Sequence, residues 1–443
     1  MRHRWARVVA GLIVIVLALV GAAGRADAQL VQPYAFSVTN PLAATIVGTP
    51  PDQSATLPDL YLDWNAFRGN VRIFPEREPP QVFWFDGQGM TYGFVRQRGP
   101  APLVFLIAGT GAAFNSGKTQ LLARALYEGG YHVVGISSPT FPNFMVTASE
   151  TGVPGRMRDD ARDLYRALQK VWAQIKGTVD VTSFSLAGYS LGAMNAAFVS
   201  EIDSREKVFD FQHVLMLNPP VSLWNSLTIL DGYLDNTLHN DPRLVQQFFD
   251  GLLQKFAEFY NQSGTLDLTG DFLFRIYEKL QPDSTALEVI IGAAFRLSSN
   301  SMAFTSDVLT HSNYVVPRDA QLTPLTGLTN VFTVGNFLSF QDYFDQVYLP
   351  YFQRTEPDLT RDKAIAEARL QAIEPYLRAN PRVGVFTNAD DIILAPGELD
   401  WLKTVFDGRI TVFPYGGHMG NYGEKEFVQR LNAFFRGGEG GAS

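Results

Sequence analysis

The sequence predicts an α/β protein with a mostly parallel central sheet that is flanked by helices. Two observations indicate this fold class. Within residues 81–221, short apolar runs alternate with helical patterns, as in chains that build a parallel sheet. The alternation stops at residues 222–381, where helical stretches dense in Phe and Tyr replace it, and it resumes at residues 382–436. We therefore expect a single sheet, with a helical insertion in the chain after the sixth strand.

The predicted strands are the apolar runs of the two α/β segments. The clearest is 102–108, a continuous apolar run of the kind found in strands that are buried on both faces of a sheet. The other predicted strands are 81–85, 90–96, 131–136, 179–186, 213–217, 382–386 and 409–413. Helices are predicted at 120–128, 157–176, 398–406 and 424–435, because apolar residues recur there at helical spacing.

The pentapeptide Gly188-Tyr189-Ser190-Leu191-Gly192 follows an apolar, β-branched run and precedes a run of small residues that is typical of a helix. In this strand–turn–helix context, Gly-x-Ser-x-Gly is typical of a nucleophile elbow, which holds the serine exposed on a strained turn. A side chain at either glycine would collide with the neighbouring strand or helix. The alternative reading is an ordinary glycine-rich turn that contains a serine.

Two later strands end in residues that could activate this serine. A serine hydroxyl becomes a good nucleophile when a histidine takes its proton and a carboxylate orients that histidine. Strand 382–386 is followed by Asp390 and Asp391, and strand 409–413 is followed by His418 in a glycine-rich turn. We predict Ser190, His418 and Asp391 as a catalytic triad, with Asp390 as the alternative acid.

With these residues in this order, the chain resembles the α/β-hydrolase superfamily over roughly residues 80–220 and 382–436. The acid of that family usually lies in a G-x-x-D-x-[IV] pattern, which residues 388–393 match with Asn388 in place of Gly, and this favours Asp391. The resemblance also implies an oxyanion hole. Its backbone amides are those of Leu191 and Thr110, with Gly111 as the alternative to Thr110.

The resemblance implies a serine hydrolase, esterase- or lipase-like, that needs no cofactor and cleaves a carboxylic ester or another acyl bond. It further implies that the insertion forms a cap over the serine. The aromatic residues of the insertion, which are dense at 248–277 and 343–352, then line an apolar pocket for a small-molecule or lipid-like acyl substrate, or else form the core of the cap itself. The competing functions are a serine aminopeptidase-like amide hydrolase and a non-catalytic binding protein that keeps the fold.

The composition argues against several other classes of function. The 443 residues include no cysteine, which excludes disulfides, thiolate metal sites and cysteine nucleophiles. The formal net charge of −8 is spread along the chain and leaves no basic patch for nucleic acid. No spacing of acidic residues and histidines suggests a metal site. Gly117-Lys118-Thr119 resembles the end of a phosphate-binding P-loop, but Ala112 occupies the position at which that motif needs its first glycine.

The first 28 residues have the pattern of a secretory signal peptide. A basic start is followed by an apolar run at 8–20 and by Ala26-Asp27-Ala28, a typical cleavage signal. The apolar run is shorter than the roughly 20 residues that span a bilayer, so an uncleaved anchor is the alternative. We expect a periplasmic or secreted protein that is cleaved after Ala28 and then has no stable membrane span.

The sequence thus divides into six predicted regions, which are a signal peptide (1–28), an N-terminal arm with edge strands (29–80), a first core part (81–221), a helical cap (222–381), a second core part (382–436) and a flexible tail (437–443).

Overall fold

An eight-stranded sheet forms the centre of the protein. The computed structural model describes residues 30–58, 68–239, 241, 243–248, 250–251, 277–279 and 281–437. The strands are β1 (Arg68–Val71), β2 (Met90–Val95), β3 (Ala101–Ile107), β4 (His132–Ile136), β5 (Val181–Tyr189), β6 (Val214–Leu217), β7 (Val383–Asn388) and β8 (Ile410–Phe413). Their order in the sheet is β1-β2-β4-β3-β5-β6-β7-β8, in which β2 pairs antiparallel with both β1 and β4 and the pairs from β4 to β8 are parallel. The predicted fold class is therefore confirmed, and the sheet is that of an α/β-hydrolase fold.

Helices connect the strands and also build the insertion. Those whose bounds lie within the described residues are α1 (Pro41–Val47), α2 (Gly117–Glu128), α3 (Pro142–Thr147), α4 (Met157–Ile175), α5 (Leu191–Glu206), α6 (Leu223–Asp235), α7 (Ser284–Thr310), α8 (Thr329–Gly335), α9 (Phe340–Tyr343), α10 (Leu349–Gln353), α11 (Arg361–Glu367), α12 (Glu374–Ala379), α13 (Glu398–Val405) and α14 (Lys425–Phe435). A π-helical turn, Phe344–Tyr348, joins α9 to α10.

The hydrophobic core lies on both faces of the sheet. One face is covered by α4 and α5, and the other by α2 and α14. The apolar stripe predicted for α4 faces the sheet, since Leu164, Leu168, Val171 and Ile175 are all buried. The alanines at the start of α5 have no exposed surface, which lets this helix pack closely behind β5.

The insertion leaves the core and returns to it at one place. The chain departs after β6, runs through α6 to α11, and then passes through α12 to reach β7. Ser222 and Arg369 form a β-bridge at the base, where the Leu223 amide donates to the Ala368 carbonyl at 3.0 Å and the Leu370 amide to the Val221 carbonyl at 2.9 Å. These bonds fix both ends of the helical insertion at the edge of the sheet where β6 ends.

The prediction of a strand at 81–85 is wrong. Gln81–Asp86 forms a 3₁₀-helix, in which Val82 and Phe83 are buried while Trp84 and Phe85 are mostly exposed. Two adjacent buried residues followed by two exposed ones do not fit the alternation of a strand. Phe83 packs against Phe304 of α7, a contact with the insertion that no local pattern indicates.

The N-terminal arm contacts the C-terminal part of the chain. Leu30 forms a parallel bridge with Val412 of β8, and Ser54 forms an antiparallel bridge with Glu424 just before α14. The predicted signal peptide and residues 438–443 of the predicted tail lie outside the described residues. In the described ranges, no helix has both the length and the apolar character needed to cross a bilayer.

Candidate active site

Ser190 occupies a sharp turn between β5 and α5. The strand ends at Tyr189, the helix begins at Leu191, and Ser190 between them has φ 54° and ψ −128°. A positive φ is uncommon for a residue with a side chain and persists only where the surroundings enforce it. Here the Ser190 amide donates to the Leu217 carbonyl of β6 at 2.9 Å, which ties the turn to the end of the adjacent strand.

The two glycines that flank Ser190 allow this turn to form. A Cβ atom on Gly188 would lie 2.0 Å from the carbonyl oxygen of Gly192. A Cβ atom on Gly192 would lie 2.3 Å from the carbonyl oxygen of Ile107 and 2.5 Å from that of Ala108. All three distances are far below van der Waals contact with backbone atoms, so the close approach of β3, β5 and α5 requires glycine at both positions.

A chain of hydrogen bonds joins Ser190, His418 and Asp391. The Ser190 hydroxyl lies 3.0 Å from Nε2 of His418, and Nδ1 of His418 lies 3.0 and 3.2 Å from the two carboxylate oxygens of Asp391. Because a carboxylate only accepts, the proton is on Nδ1 and Nε2 is free to accept from the serine hydroxyl. The imidazole and the carboxylate are buried, which strengthens the interaction between them.

Asp391 is also held by groups other than His418. The side-chain amide of Asn218, which follows β6, donates to Asp391 at 2.7 Å, and the Ile393 amide donates to it at 3.2 Å. Asn218 itself has a positive φ of 47°. Nothing in the sequence singled out Asn218 beyond its position directly after a strand.

Asp390, the alternative acid, does not contact His418. Its two carboxylate oxygens accept from the backbone amides of Gly416 and Gly417 at 3.3 and 2.9 Å. Burial raises the pKa of Asp390 to about 6. Of the two adjacent carboxylates, Asp391 therefore lies at the imidazole and Asp390 supports the turn that carries it.

The turn around His418 is held by residues that the sequence analysis missed. The His418 amide donates to the Thr45 hydroxyl of α1 at 2.8 Å, and the Asn388 side-chain amide donates to the Gly417 carbonyl at 2.7 Å. Gly417 has φ 52°, and a Cβ atom there would lie 2.0 Å from the carbonyl oxygen of Pro41. Helix α1 is thus packed directly against this turn, although 373 residues separate Thr45 from His418.

Two backbone amides close to Ser190 have no acceptor among the residues that the structure describes. In the described part of the chain, neither the Leu191 amide at the start of α5 nor the Thr110 amide after β3 donates a hydrogen bond to another group. The loop of Thr110 lies against the serine, since a Cβ atom on Gly109 would be 3.0 Å from Cβ of Ser190. The Gly111 amide, by contrast, donates to the Thr140 hydroxyl at 2.7 Å and is already used.

An apolar pocket lies where the insertion meets the core beside Ser190. It has a volume of about 40 Å³, and both Thr110 and Leu191 line it. The insertion contributes most of the other lining side chains, among them Trp224, Leu227, Met302, Phe340, Tyr343, Phe344 and Tyr348. No acidic or basic side chain of the described residues lines this pocket.

A larger cavity of about 480 Å³ lies elsewhere and contains none of the residues predicted for the site. It is bordered by polar and charged side chains, among them Arg77, Glu150, Asp307 and His311. In the described ranges, no group of three or more acidic or histidine side chains is arranged to hold a metal ion.

No family model matches this sequence, and no curated protein matches it either. The fold is similar to several solved structures. One is a complex of DcsB with its substrate analogue, at 12% identity and a TM-score of 0.39, with 79% of this chain and 95% of that chain covered.

Two other solved structures are similar to this chain to about the same extent. The proline iminopeptidase of Mycobacterium smegmatis has 14% identity and a TM-score of 0.38, with 79% of this chain and 95% of that chain covered. A membrane phospholipase A, described as a bacterial virulence factor, has 15% identity and a TM-score of 0.38, with 98% and 100% covered. The fold class follows from the strand order and strand directions of the sheet, and the site is defined by the distances among its own side chains.

Proposed function

We propose that this protein is a serine hydrolase that cleaves a carboxylic ester or a related acyl bond. The observation that carries the proposal is the hydrogen-bonded chain from Ser190 through His418 to Asp391, with both contacts at 3.0 Å. In this arrangement a histidine can take the serine proton while a carboxylate orients the imidazole and stabilises its charged form. The positive φ of Ser190 supports the interpretation of its turn as a nucleophile elbow.

The proposed mechanism has two stages. Oγ of Ser190 attacks the carbonyl carbon while Nε2 of His418 accepts the hydroxyl proton, and the same proton then passes to the leaving group. The resulting acyl-enzyme is hydrolysed by water, which His418 deprotonates in turn. The amides of Leu191 and Thr110, which have no acceptor in the described protein, are the proposed donors to the oxyanion.

The lining of the apolar pocket supports the proposal of an acyl substrate, with the insertion acting as a cap over the serine. Its lining is almost entirely apolar and includes aromatic side chains of the insertion, which suits the hydrocarbon part of an acyl group. A volume of 40 Å³ has room for about three water molecules, so the pocket in this conformation favours short acyl chains. An aminopeptidase needs a carboxylate near the serine to bind the substrate ammonium, and no described lining residue supplies one.

The test is covalent labelling of the purified protein with a fluorophosphonate, beside Ser190→Ala and His418→Ala. We expect labelling of the wild type, none of Ser190→Ala, and a loss of at least a hundredfold in rate for His418→Ala. A series of p-nitrophenyl esters from acetate to palmitate should then show kcat/KM falling with chain length. An unlabelled wild type that is well folded would contradict the proposal.

We also propose that the protein is periplasmic or secreted, because its first 28 residues have the pattern of a signal peptide. Expression of the full chain in a bacterial host and N-terminal sequencing of the product test this. Cleavage after Ala28 is the expected result, and recovery of an intact N-terminus from the cytoplasm would contradict it.

A further inference from the structure

The segment Ser116-Gly117-Lys118-Thr119 lies beside the candidate active site, at the N-terminal end of α2. It includes the Gly-Lys-Thr sequence that resembles a P-loop in part and has no role in the proposed chemistry. Three of its side chains contact elements that carry Ser190 or His418.

Lys118 contacts the turn that carries His418. Its Nζ donates to the carbonyl oxygen of Met419, the residue directly after His418, at 3.0 Å and lies 5.9 Å from the centre of the Tyr422 ring. Met419 has φ 69°, a conformation that a residue with a side chain rarely adopts. A turn in this conformation depends on bonds to its surroundings, and Lys118 supplies one of them.

The neighbouring hydroxyl groups contact the strand that carries Ser190. The Tyr189 hydroxyl lies 2.9 Å from both the Ser116 and the Thr119 hydroxyls. Tyr189 directly precedes Ser190, and its ring packs edge-on against Tyr422 at 6.4 Å between centres. The start of α2 therefore bonds to the residue before the serine and to the residue after the histidine.

The charge of Lys118 is poorly compensated at this position. No carboxylate of the described residues forms an ion pair with it, and burial lowers its pKa to about 8. An ammonium group that is buried without a counter-ion has a desolvation cost, which offsets much of what its hydrogen bond to Met419 contributes to stability. Stability alone is thus a weak explanation for a lysine here.

We infer that Lys118 is a positioning residue that acts through the Met419 carbonyl to hold the His418 turn where Nε2 faces the Ser190 hydroxyl. This inference rests on the proposed function for its effect on turnover. The contact can also be tested without an activity assay, because its loss should speed the exchange of backbone amides in the His418 turn.

The experiment compares Lys118→Met, which removes the donor, with Lys118→Arg, which keeps one. Lys425→Met is the matched control, because Nζ of Lys425 also donates to a backbone carbonyl, that of Asp52, at 3.1 Å and away from the turn. For each variant we would measure kcat and KM on a short-chain ester, the thermal midpoint, and deuterium exchange of a peptide that covers residues 415–422.

For Lys118→Met we expect a fall in kcat of about tenfold or more, KM within twofold of wild type, a thermal midpoint within a few degrees, and faster exchange in 415–422. Lys118→Arg should recover most of kcat, and Lys425→Met should leave all these values unchanged. Unchanged kcat and exchange in Lys118→Met would overturn the inference. If the wild type proves inactive, the proposed function fails, and the exchange data still decide whether Lys118 holds the turn.

Discussion

At the level of single residues, the candidate site depends on backbone conformations that side chains seldom adopt. Ser190, Asn218 and Met419 all have positive φ values, and all lie close to the proposed chemistry. Each such residue costs about 1–3 kcal/mol, which the surrounding packing has to offset. The carbonyl of Leu217 on the Ser190 amide and the ammonium of Lys118 on Met419 are examples of the contacts that do so.

The different contacts of Asp390 and Asp391 lead to different expected effects of substituting each one. Asp391→Asn keeps the shape of the side chain but removes the charge that orients His418, so we expect kcat to fall by roughly 10³–10⁴-fold. Asp390→Asn is the matched control, because the Asp390 carboxylate accepts from the turn amides of Gly416 and Gly417 and not from His418. We expect this substitution to lower kcat by about tenfold or less. Ester hydrolysis at pH 7.5 measures both. A larger loss in Asp390→Asn than in Asp391→Asn would contradict the assignment.

At the level of elements, α1 shows how a short helix far away in sequence contributes to the site. It begins after Asn40, whose side chain accepts from the amides of Leu42 and Ala43 and so caps the helix. This places the Thr45 hydroxyl under the His418 amide, and the same hydroxyl donates to the Pro41 carbonyl at 2.7 Å. Helix α1 is therefore a support for the histidine turn as well as part of the arm.

Thr45→Val tests this support. Valine has nearly the same shape as threonine but cannot accept a hydrogen bond from the His418 amide. Because the turn then loses roughly one hydrogen bond, we expect kcat to fall by about tenfold. Ser54→Ala is the control, because the Ser54 hydroxyl donates only to the Pro50 carbonyl within the arm. Steady-state kinetics that leave Thr45→Val equal to wild type would show that this bond is dispensable.

At the level of the whole molecule, buried carboxyl groups make stability depend on pH. Burial raises the pKa values of Asp163, Asp231 and Asp390 to about 6. The folded state therefore binds these protons more tightly than the unfolded chain does. Their contribution to stability is complete below about pH 4 and is lost as the pH rises through about 6.

Asp231 gives the cleanest test, because it is 1% exposed. It accepts from the amides of Phe340 and Gln341, which links α6 to the start of α9. Wild type should lose on the order of 3 kcal/mol through this group between pH 4 and 7, and Asp231→Asn should not. In thermal melts, the midpoint of the variant should therefore rise relative to wild type as the pH increases. Parallel curves would rule out this contribution.

Much of the architecture could be predicted because it follows from local patterns. Continuous apolar runs indicate buried strands such as β3, and the helical spacing of apolar residues at 157–176 indicates α4. The 3₁₀-helix at Gln81–Asp86 was missed because an aromatic, apolar run has the same composition as a strand. Its side chain Phe83 packs against Phe304, which is distant in sequence, and no local pattern indicates that contact.

The sequence by itself determined that Ser190, an acid and His418 each follow a strand of a parallel sheet, and parallel strands bring such residues to one edge. Only the tertiary structure decided that Asp391 and not Asp390 meets the imidazole, because one step along the chain after a strand redirects a side chain. It also decided that Thr45 and Lys118 hold the histidine turn and that the insertion lines an apolar pocket. These contacts join residues that are hundreds of positions apart, and such contacts leave no periodic signal in the sequence.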